Sequence, residues 1–217
     1  MPTRARLAES LGGWLPPAGA RIGLLGGSFN PAHAGHRHIS LEAMKRLALD
    51  QVWWLVSPQN PLKTADGMAP LVERLAGARR LAGGRRLVAT DIETLLGTRY
   101  TADTLRALRR RFPKVNFVWL MGADNLIQVD QWEDWQRIFH CLPVAVLARP
   151  TYSLRASRSK AAVRFKAGRW AERRVRGLAE ATPPAWAFLH IRLSPLSATR
   201  IRAAGPAGRN RVSTQQR

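Results

Sequence analysis

The chain has 217 residues, of which 35 are lysine or arginine and 14 are aspartate or glutamate, giving a formal net charge of +21. Hydrophobic residues make up 46% of it, with eight tryptophans, so it can bury a sizeable core, and a disordered polycation is excluded. The one cysteine excludes an intramolecular disulfide, no zinc-finger spacing is present, and the expected compartment is a reducing cytoplasm.

Short apolar runs alternate along the chain with longer segments that have helical periodicity. In chain order they predict a strand at residues 22–25, a helix at 36–49, a strand at 52–56, a helix at 70–81, a strand at 86–92, a helix at 101–111, a strand at 115–121, a helix at 125–139 and a strand at 144–147. This alternation is typical of βαβ units. It predicts an α/β fold, a Rossmann-like doubly wound parallel sheet with helices on both faces.

Three segments lie outside this alternation. We interpret residues 1–20 as an N-terminal extension and residues 205–217 as a disordered tail, and we expect a single domain over residues 21–204. Within that domain, residues 151–185 are interpreted as a basic insertion with a predicted helix between residues 159 and 181. The elements predicted after it are a strand at residues 186–193 and a helix at residues 197–204.

The positive charge is concentrated in the C-terminal third. Residues 1–150 contain 20 basic and 12 acidic side chains, net +8, whereas residues 151–217 contain 15 basic and 2 acidic ones, net +13. Such an excess favours a polyanionic partner, and nucleic acid, a membrane surface and nucleotide phosphates are all candidates. No segment has the roughly 18 consecutive apolar residues of a membrane span, so we expect none.

The loop after the first predicted strand carries the most informative motif, Gly26-Gly27-Ser28-Phe29-Asn30-Pro31-Ala32-His33-Ala34-Gly35-His36. Two glycines let the backbone approach a ligand closely, and N–H groups at the start of the next helix attract an anion. His33 and His36 are three residues apart, so both imidazoles can face the same phosphate group. A pair of surface histidines beside a turn is the alternative, but the combination of features predicts a phosphate-binding loop.

This motif resembles the nucleotide-binding signature of the nucleotidyltransferases that are marked by His/Thr-x-Gly-His. Residues 194–202, SPLSATRIR, resemble the distal motif of the same superfamily. Further features narrow the resemblance to the nicotinate-nucleotide adenylyltransferase family over about residues 20–204. They are SPQNPLK at residues 57–63, RYTADTL at 99–105, GADNL at 122–126, Trp132 and Arg149-Pro150. The chain departs from many members at Asn30, Ala198 and Glu133.

The resemblance implies transfer of the adenylyl group of ATP to nicotinate mononucleotide, which yields deamido-NAD (nicotinate adenine dinucleotide) and pyrophosphate. A mononucleotide phosphate is already a nucleophile, so the enzyme has to align it and neutralise charge rather than supply a base. Mg²⁺ would arrive with ATP and be held mostly by phosphates and water. No metal site built from protein side chains is expected.

For ATP, the resemblance implies three catalytic side chains, His33, His36 and Arg200. His36 would polarise the phosphates, His33 would help to hold them, and Arg200 would donate charge-assisted hydrogen bonds. Helix capping is the alternative role of Ser197 and Thr199. The full set implied to bind ATP is Gly26, Gly27, Ser28, Phe29, His33, His36, Asp124, Ser197, Thr199 and Arg200.

For the acceptor, the resemblance implies that Trp132 stacks on the nicotinate ring and that Tyr100 and Thr101, at a helix start, donate to its carboxylate. Lys63 could pair with the acceptor phosphate, and Asn30 completes the implied acceptor site. The alternatives are a packing role for Trp132 and a solvated loop position for Lys63.

Two other functions stay open. A related nucleotidyltransferase could use another acceptor, such as nicotinamide mononucleotide or phosphopantetheine. The basic residues 151–180 would suit a non-catalytic nucleic-acid-binding protein on the same fold, although no RRM, KH or zinc-finger pattern is present. We therefore expect ATP and nicotinate mononucleotide as partners, and we expect neither a nucleic acid nor a membrane.

Overall fold

Seven parallel strands form one sheet in the computed structural model, which describes residues 2–58, 67–148 and 153–191. Within that part of the chain the strands are β1 (Arg21–Gly27), β2 (Gln51–Val56), β3 (Leu87–Thr90), β4 (Asn116–Gly122), β5 (Val144–Leu147), β6 (Arg169–Trp170) and β7 (Trp186–Leu189). Their order is β3-β2-β1-β4-β5-β7-β6, and each neighbouring pair is parallel.

Helices pack against both faces of this sheet. They are α1 (Arg4–Ser10), α2 (Ala34–Leu47), α3 (Leu71–Ala82), α4 (Ile92–Leu96), α5 (Thr101–Arg111), α6 (Ala123–Gln128), α7 (Trp135–Cys141), α8 (Ser153–Ser157) and α9 (Lys160–Arg164). The described residues also include 3₁₀ segments at Val129–Gln131, Lys166–Gly168 and Glu172–Glu180. The predicted doubly wound parallel α/β fold is confirmed.

The hydrophobic core is divided between the two faces because side chains alternate along each strand. Trp53 and Trp54 on β2 are both fully buried, and they belong to different core clusters. Trp53 shares its cluster with Leu105 of α5, whereas Trp54 shares the other cluster with Ala43 of α2. The paired tryptophans therefore anchor helices on opposite sides of the sheet.

The order of the strands changes direction at β1. From β1 the chain runs outward to β2 and β3 on one side, and it then crosses to β4 and β5 on the other. In doubly wound sheets, ligands bind in the crevice beside this switch point, at the carboxyl ends of the strands. The loops that follow β1, β2, β3 and β4 all meet at this edge.

The predicted helix at residues 125–139 is wrong as a single element. The chain instead forms α6, the 3₁₀ turn at Val129–Gln131 and then α7. Asp134 has a left-handed backbone conformation, with φ of 49°, and Trp132 is extended, so helical hydrogen bonding stops between the two helices. The break moves Trp132 off a helix surface and into a loop near the carboxyl end of β4.

The predicted strand at residues 86–92 is shorter than expected. β3 ends at Thr90, and Ile92 already begins the five-residue helix α4. The Thr90 hydroxyl accepts a hydrogen bond from the backbone N–H of Ile92, which turns the chain out of the strand. Glu93 is consequently held in the first turn of α4, directly after the end of β3.

The basic insertion at residues 151–185 is not a continuous helix. Its described part contains α8, α9 and two 3₁₀ segments, with β6 between them, where Trp170 pairs with Ala187 of β7. Phe165 belongs to the core cluster on one face of the sheet and Val175 to the cluster on the other. The segment must therefore wrap around the edge of the sheet, which a single helix cannot do.

Three C-terminal predictions extend beyond the residues described. The strand predicted at residues 186–193 is present as β7, which ends at Leu189. The helix predicted at residues 197–204 and the tail at residues 205–217 lie outside the described residues. Among the helices of the described ranges, none is long and apolar enough to cross a membrane.

The N-terminal extension is part of the fold. Thr3 caps α1 by accepting a hydrogen bond from the backbone N–H of Arg6. Leu7 is buried in the same core cluster as Trp53, and Ser10 shares a hydrogen bond between hydroxyl groups with Thr90 at the end of β3. Helix α1 thus covers the sheet close to the point where α4 begins.

Replacing Leu7 with alanine should lower the free energy of unfolding by about 2–5 kcal/mol, because the substitution removes buried contacts and leaves a cavity. Chemical denaturation measures the change. Leu154→Ala is the matched control, since Leu154 is 80% exposed, and its effect should stay below about 0.5 kcal/mol. Equal stability of Leu7→Ala and the wild type would show that α1 is not part of the cooperative core.

Candidate active site

A cavity of about 440 Å³ lies at the carboxyl ends of β1 and β2, beside β4. Its walls are formed by Gly26, Gly27, Ser28, Ser57, Glu93, Arg99, Tyr100, Thr101, Trp119, Asn125, Gln131, Trp132 and Glu133. Six of the predicted site residues are among them, namely Gly26, Gly27, Ser28, Tyr100, Thr101 and Trp132. The cavity thus joins the start of the predicted phosphate-binding loop to the predicted acceptor residues.

Gly26 is required where the backbone of the loop passes Trp119. A Cβ atom at position 26 would lie 2.5 Å from the indole ring, closer than packed carbon atoms allow. Trp119 is itself buried and lines the cavity. Among the described residues none accepts a hydrogen bond from its Nε1–H, so a ligand could use this donor.

A cluster of aromatic rings supports the two histidines of the loop. Phe29 is 2% exposed and stacks on Trp54, with ring centroids 5.2 Å apart. The His36 ring lies 4.7 Å from Phe29 and 3.8 Å from the His33 ring. Phe29 therefore packs beneath the histidines, and its predicted contact with ATP stays a prediction.

The start of α2 fixes the tautomer of His36. The backbone N–H of His33 donates a hydrogen bond of 3.2 Å to Nδ1 of His36. Because Nδ1 accepts this bond, the hydrogen of the neutral imidazole lies on Nε2, which is then the donor nitrogen. The ring also stands at the N-terminus of a 14-residue helix, whose dipole favours an anion at that end.

Arg74 on α3 lies beneath the loops of the site and is 4% exposed. Its guanidinium donates hydrogen bonds of 2.6–2.9 Å to the carbonyl oxygens of Ser28, Ser57, Pro58 and Ala69. One side chain therefore ties together the loop after β1, the loop after β2 and the segment before α3. Burial lowers the pKa of the guanidinium, yet an arginine stays charged at neutral pH. A positive charge thus lies under the glycine loop.

The opposite wall of the cavity begins at α5. Tyr100 is the N-cap residue of this helix, and its side chain makes no capping hydrogen bond. Because Tyr100 and Thr101 also line the cavity, the uncapped first-turn N–H groups of α5 can serve there as donors for an anion. Trp132 is half-buried, because part of its ring packs on the core while part lines the cavity.

Glu93 is a cavity residue that the sequence did not single out. It is 8% exposed, and its Oε1 lies 3.3 Å from the Thr104 hydroxyl of α5. Desolvation by burial raises its pKa to about 7. Hydrogen bonds with Thr104 and Ser57 act in the opposite direction, because they favour the charged form. The sequence did contain a signal for Glu93, because it is an acidic residue directly after a predicted strand, at the edge of the sheet where ligands bind.

Five of the predicted site residues that the structure describes are not part of the cavity wall, namely Phe29, Asn30, His33, His36 and Asp124. The Asn30 side chain hydrogen-bonds the backbone carbonyl of Gly67 at 2.9 Å and the backbone N–H of Ala69 at 3.3 Å. Asp124 lies half-buried in the first turn of α6, next to the lining residue Asn125. Lys63, Ser197, Thr199 and Arg200 lie outside the described residues.

The side chains of the site that the structure describes do not form a metal cage. Within the described ranges, no three histidine, cysteine, aspartate or glutamate side chains are grouped so that they could hold a metal ion. The carboxyl groups in the cavity wall are Glu93 and Glu133. A divalent cation bound with a nucleotide would therefore take most of its ligands from phosphates and water.

Comparison with known proteins gives consistent matches. Residues 24–204 match the family described as cytidylyltransferase-like. A protein of Cereibacter sphaeroides is 58% identical over 184 residues, which cover 85% of this chain and 97% of the relative. A protein of Gluconacetobacter diazotrophicus is 50% identical over 208 residues, which cover 96% of this chain and 97% of the relative. Both bear the name "Probable nicotinate-nucleotide adenylyltransferase".

A solved structure shares the fold. It is the Plasmodium falciparum nicotinic acid mononucleotide adenylyltransferase complexed with NaAD, which matches this chain with a TM-score of 0.64. The match covers 85% of this chain and 83% of that one at 14% sequence identity. At this identity the likeness establishes the common fold alone.

Replacing Arg74 with methionine should destabilise the protein by about 2–4 kcal/mol, because four backbone carbonyl groups lose a charged donor that is itself buried. Arg74→Lys should recover part of this loss, since an ammonium group keeps the charge but cannot reach every carbonyl. Chemical denaturation gives the values. Arg80→Met is the control, because Arg80 is exposed on the same helix. An Arg74→Met variant as stable as this control would contradict the importance of the contacts.

Proposed function

The chain belongs to the nicotinate-nucleotide adenylyltransferases, within the cytidylyltransferase-like family, and from this premise we propose how its strand-end cavity works. The reaction transfers the adenylyl group of ATP to nicotinate mononucleotide and forms deamido-NAD and pyrophosphate, a step of NAD biosynthesis. The observation that carries the proposal is one cavity that joins the glycine loop to Trp132 and the uncapped start of α5.

The chemistry requires alignment and charge stabilisation. A phosphate oxygen of the mononucleotide attacks the α-phosphorus of ATP, and the bond to the oxygen that bridges the α- and β-phosphorus atoms breaks. Pyrophosphate leaves with the electron pair of that bond. The nucleophile is already anionic, so the protein contributes by holding the reactants in line and by stabilising negative charge on the phosphoryl group.

On the ATP side, we propose that the triphosphate lies over the glycine loop and the start of α2. His36 would donate its Nε2–H to a phosphate oxygen, with His33 beside it. The helix dipole and the buried charge of Arg74 would lower the electrostatic cost of placing the negatively charged phosphates there. Ser197, Thr199 and Arg200 are proposed to hold the β- and γ-phosphates, as the family motif implies. Asp124 is proposed to accept hydrogen bonds from the nucleoside.

On the acceptor side, we propose that the nicotinate ring stacks on the cavity-facing part of Trp132. Its carboxylate would meet the first-turn N–H groups of α5, next to Tyr100 and Thr101. Lys63 and Asn30 complete the proposed acceptor contacts, with Lys63 facing the phosphate.

A divalent cation accompanies ATP in this chemistry, and we propose Mg²⁺. It would neutralise phosphate charge. Its ligands would come from the phosphates and water, because the described cavity wall has few carboxyl groups. ATP and nicotinate mononucleotide are the proposed partners. The cytoplasm, expected from the single cysteine, stays a prediction.

An acceptor panel tests the proposed function. The protein is supplied with ATP, Mg²⁺ and one of nicotinate mononucleotide, nicotinamide mononucleotide or phosphopantetheine, and pyrophosphate release is measured. The fastest release is expected with nicotinate mononucleotide. No release with that acceptor, or faster release with one of the other two, would overturn the assignment.

Replacing His36 with alanine should lower kcat by about 100- to 1,000-fold, the usual cost of losing one donor to a phosphoryl group or oxyanion. Steady-state pyrophosphate release gives kcat, and circular dichroism checks that the variant is folded. His140→Ala is the control, because His140 is exposed near the end of α7 and outside the cavity. A His36→Ala variant with the turnover of the wild type would exclude the proposed phosphate contact.

Replacing Trp132 with alanine should raise the KM for nicotinate mononucleotide and leave the KM for ATP nearly unchanged. Loss of ring stacking is worth about 1–3 kcal/mol, which corresponds to roughly a 5- to 150-fold rise. Trp132→Phe keeps an aromatic face and should recover most of the affinity. Equal rises in both KM values would indicate instead that Trp132 only packs against the core.

A further inference from the structure

The carboxyl group of Glu93 lies in the acceptor half of the cavity, yet the adenylyl transfer step has no use for it. Glu93 shares the cavity wall with Tyr100, Thr101 and Trp132, which are the proposed contacts of the nicotinate ring. Its carboxyl group is held by the hydroxyls of Ser57 and Thr104, and the side chain is 8% exposed. An acid fixed at this point contributes either a neutral or a negative group to the surface that the ring meets.

The Thr104 hydroxyl that holds this carboxyl group is itself fixed. It lies 2.8 Å from the Thr98 hydroxyl and 3.2 Å from the carbonyl oxygen of Tyr100. The backbone N–H of Thr98 donates a hydrogen bond of 3.0 Å to the Glu93 carbonyl. The loop between α4 and α5 therefore holds Glu93 in one place relative to the start of α5, where the acceptor carboxylate is proposed to bind.

The charges around Glu93 come from several elements. Arg99 and Glu133, both exposed, line the same cavity. On α5, Asp103 and Arg106 pair with each other at 2.8 Å. β2 carries no titratable side chain between Gln51 and Val56. The remaining titratable residues of the elements packed on α4, and of the segments that flank it, are Arg4, Arg6, Glu9, Asp91, Tyr100, Arg109, Arg110 and Arg111.

The two pyridine mononucleotides differ in the net charge of the ring. Both carry a positive ring nitrogen because the ring is bonded to ribose. In the nicotinate form the carboxylate cancels this charge, whereas in the nicotinamide form the amide leaves it uncompensated. An ionised carboxyl group nearby therefore favours the amide, and a neutral one gives it no such advantage.

We propose that Glu93 is a specificity-determining residue whose protonation state sets the preference between the nicotinate and the nicotinamide acceptor, an inference that rests on the proposed function. While its carboxyl group is protonated, the N–H donors of α5 select the carboxylate. When it ionises, its negative charge opposes the carboxylate and attracts the positively charged amide form. Selectivity for nicotinate mononucleotide then decreases as the pH rises.

The carboxyl group of Glu93 titrates near neutral pH, where its charge can affect the choice of acceptor. Burial raises the pKa of Glu93 to about 7, so the protonated and ionised forms interchange near neutral pH. The nicotinate carboxylate, by contrast, is fully ionised there. The two acceptors carry the same ribose and phosphate, so pH effects that act through the phosphate are common to both and cancel in a ratio of the two.

The experiment measures kcat/KM for nicotinate mononucleotide and for nicotinamide mononucleotide, with saturating ATP and Mg²⁺, from about pH 6 to about pH 8. The readout is the ratio of the two values. For the wild type we expect this ratio to fall by about 10- to 100-fold as Glu93 ionises.

Glu93→Gln is the decisive variant, because a neutral amide can keep hydrogen bonds to Ser57 and Thr104 without titrating. Its ratio should stay constant with pH and equal the low-pH value of the wild type. Glu133→Gln removes the other carboxyl group of the cavity wall, and its ratio should keep the pH dependence of the wild type.

A wild-type ratio that does not change with pH would overturn the proposal, and no variant has to fold for that outcome. An unchanged pH dependence in Glu93→Gln would overturn it as well. Failure of the proposed function looks different, because the wild type would then release no pyrophosphate with nicotinate mononucleotide at any pH, and both proposals would fall together.

Discussion

The site depends on one buried guanidinium. Arg74 donates to four backbone carbonyl groups that belong to the loop after β1, the loop after β2 and the segment before α3. Two of these carbonyls are those of Ser28 and Ser57, which line the cavity, and Ser57 in turn holds the carboxyl group of Glu93. The glycine loop and the part of the cavity wall that contains Glu93 are therefore connected through a single cation. A buried charge of this kind is tolerated because its N–H groups have acceptors on several sides.

The sequence predicted the architecture because strong local patterns specify it. The adjacent apolar residues Trp53 and Trp54 require a strand that is buried on both faces, and the structure places them in two different core clusters. The loop from Gly26 to His36 was found for the same reason, since glycines, a helix start and two histidines are close in the chain. The need for glycine at position 26 of this loop is explained by its packing against Trp119, a residue far along the chain.

Two of the features that the sequence did not predict depend on distant contacts, and a third depends on the backbone conformation of one residue. Arg74 is one of many arginines, and only the three-dimensional arrangement places four carbonyl groups around it. The break before α7 depends on the left-handed conformation of Asp134, which the helical periodicity around it conceals. Glu93 becomes notable only when burial and the cavity are known. For Arg74 and Glu93, residues that are separated in the chain decide the outcome.

The large positive charge of the chain has little part in the cavity itself. Among the described residues that line the cavity, Arg99 is the one cationic side chain, against the acids Glu93 and Glu133. The described basic residues between 153 and 180 are exposed, and the two acids of that segment pair with Arg21, Arg46 and His190. Among the described residues, the positive potential at the cavity thus comes from Arg99, from helix N-termini and from the charge of Arg74 beneath the loops. Fixed donors of this kind bind a carboxylate or a phosphate at one position. In our proposal, the charge of the neighbouring Glu93 then decides whether the nicotinate or the nicotinamide ring is accepted.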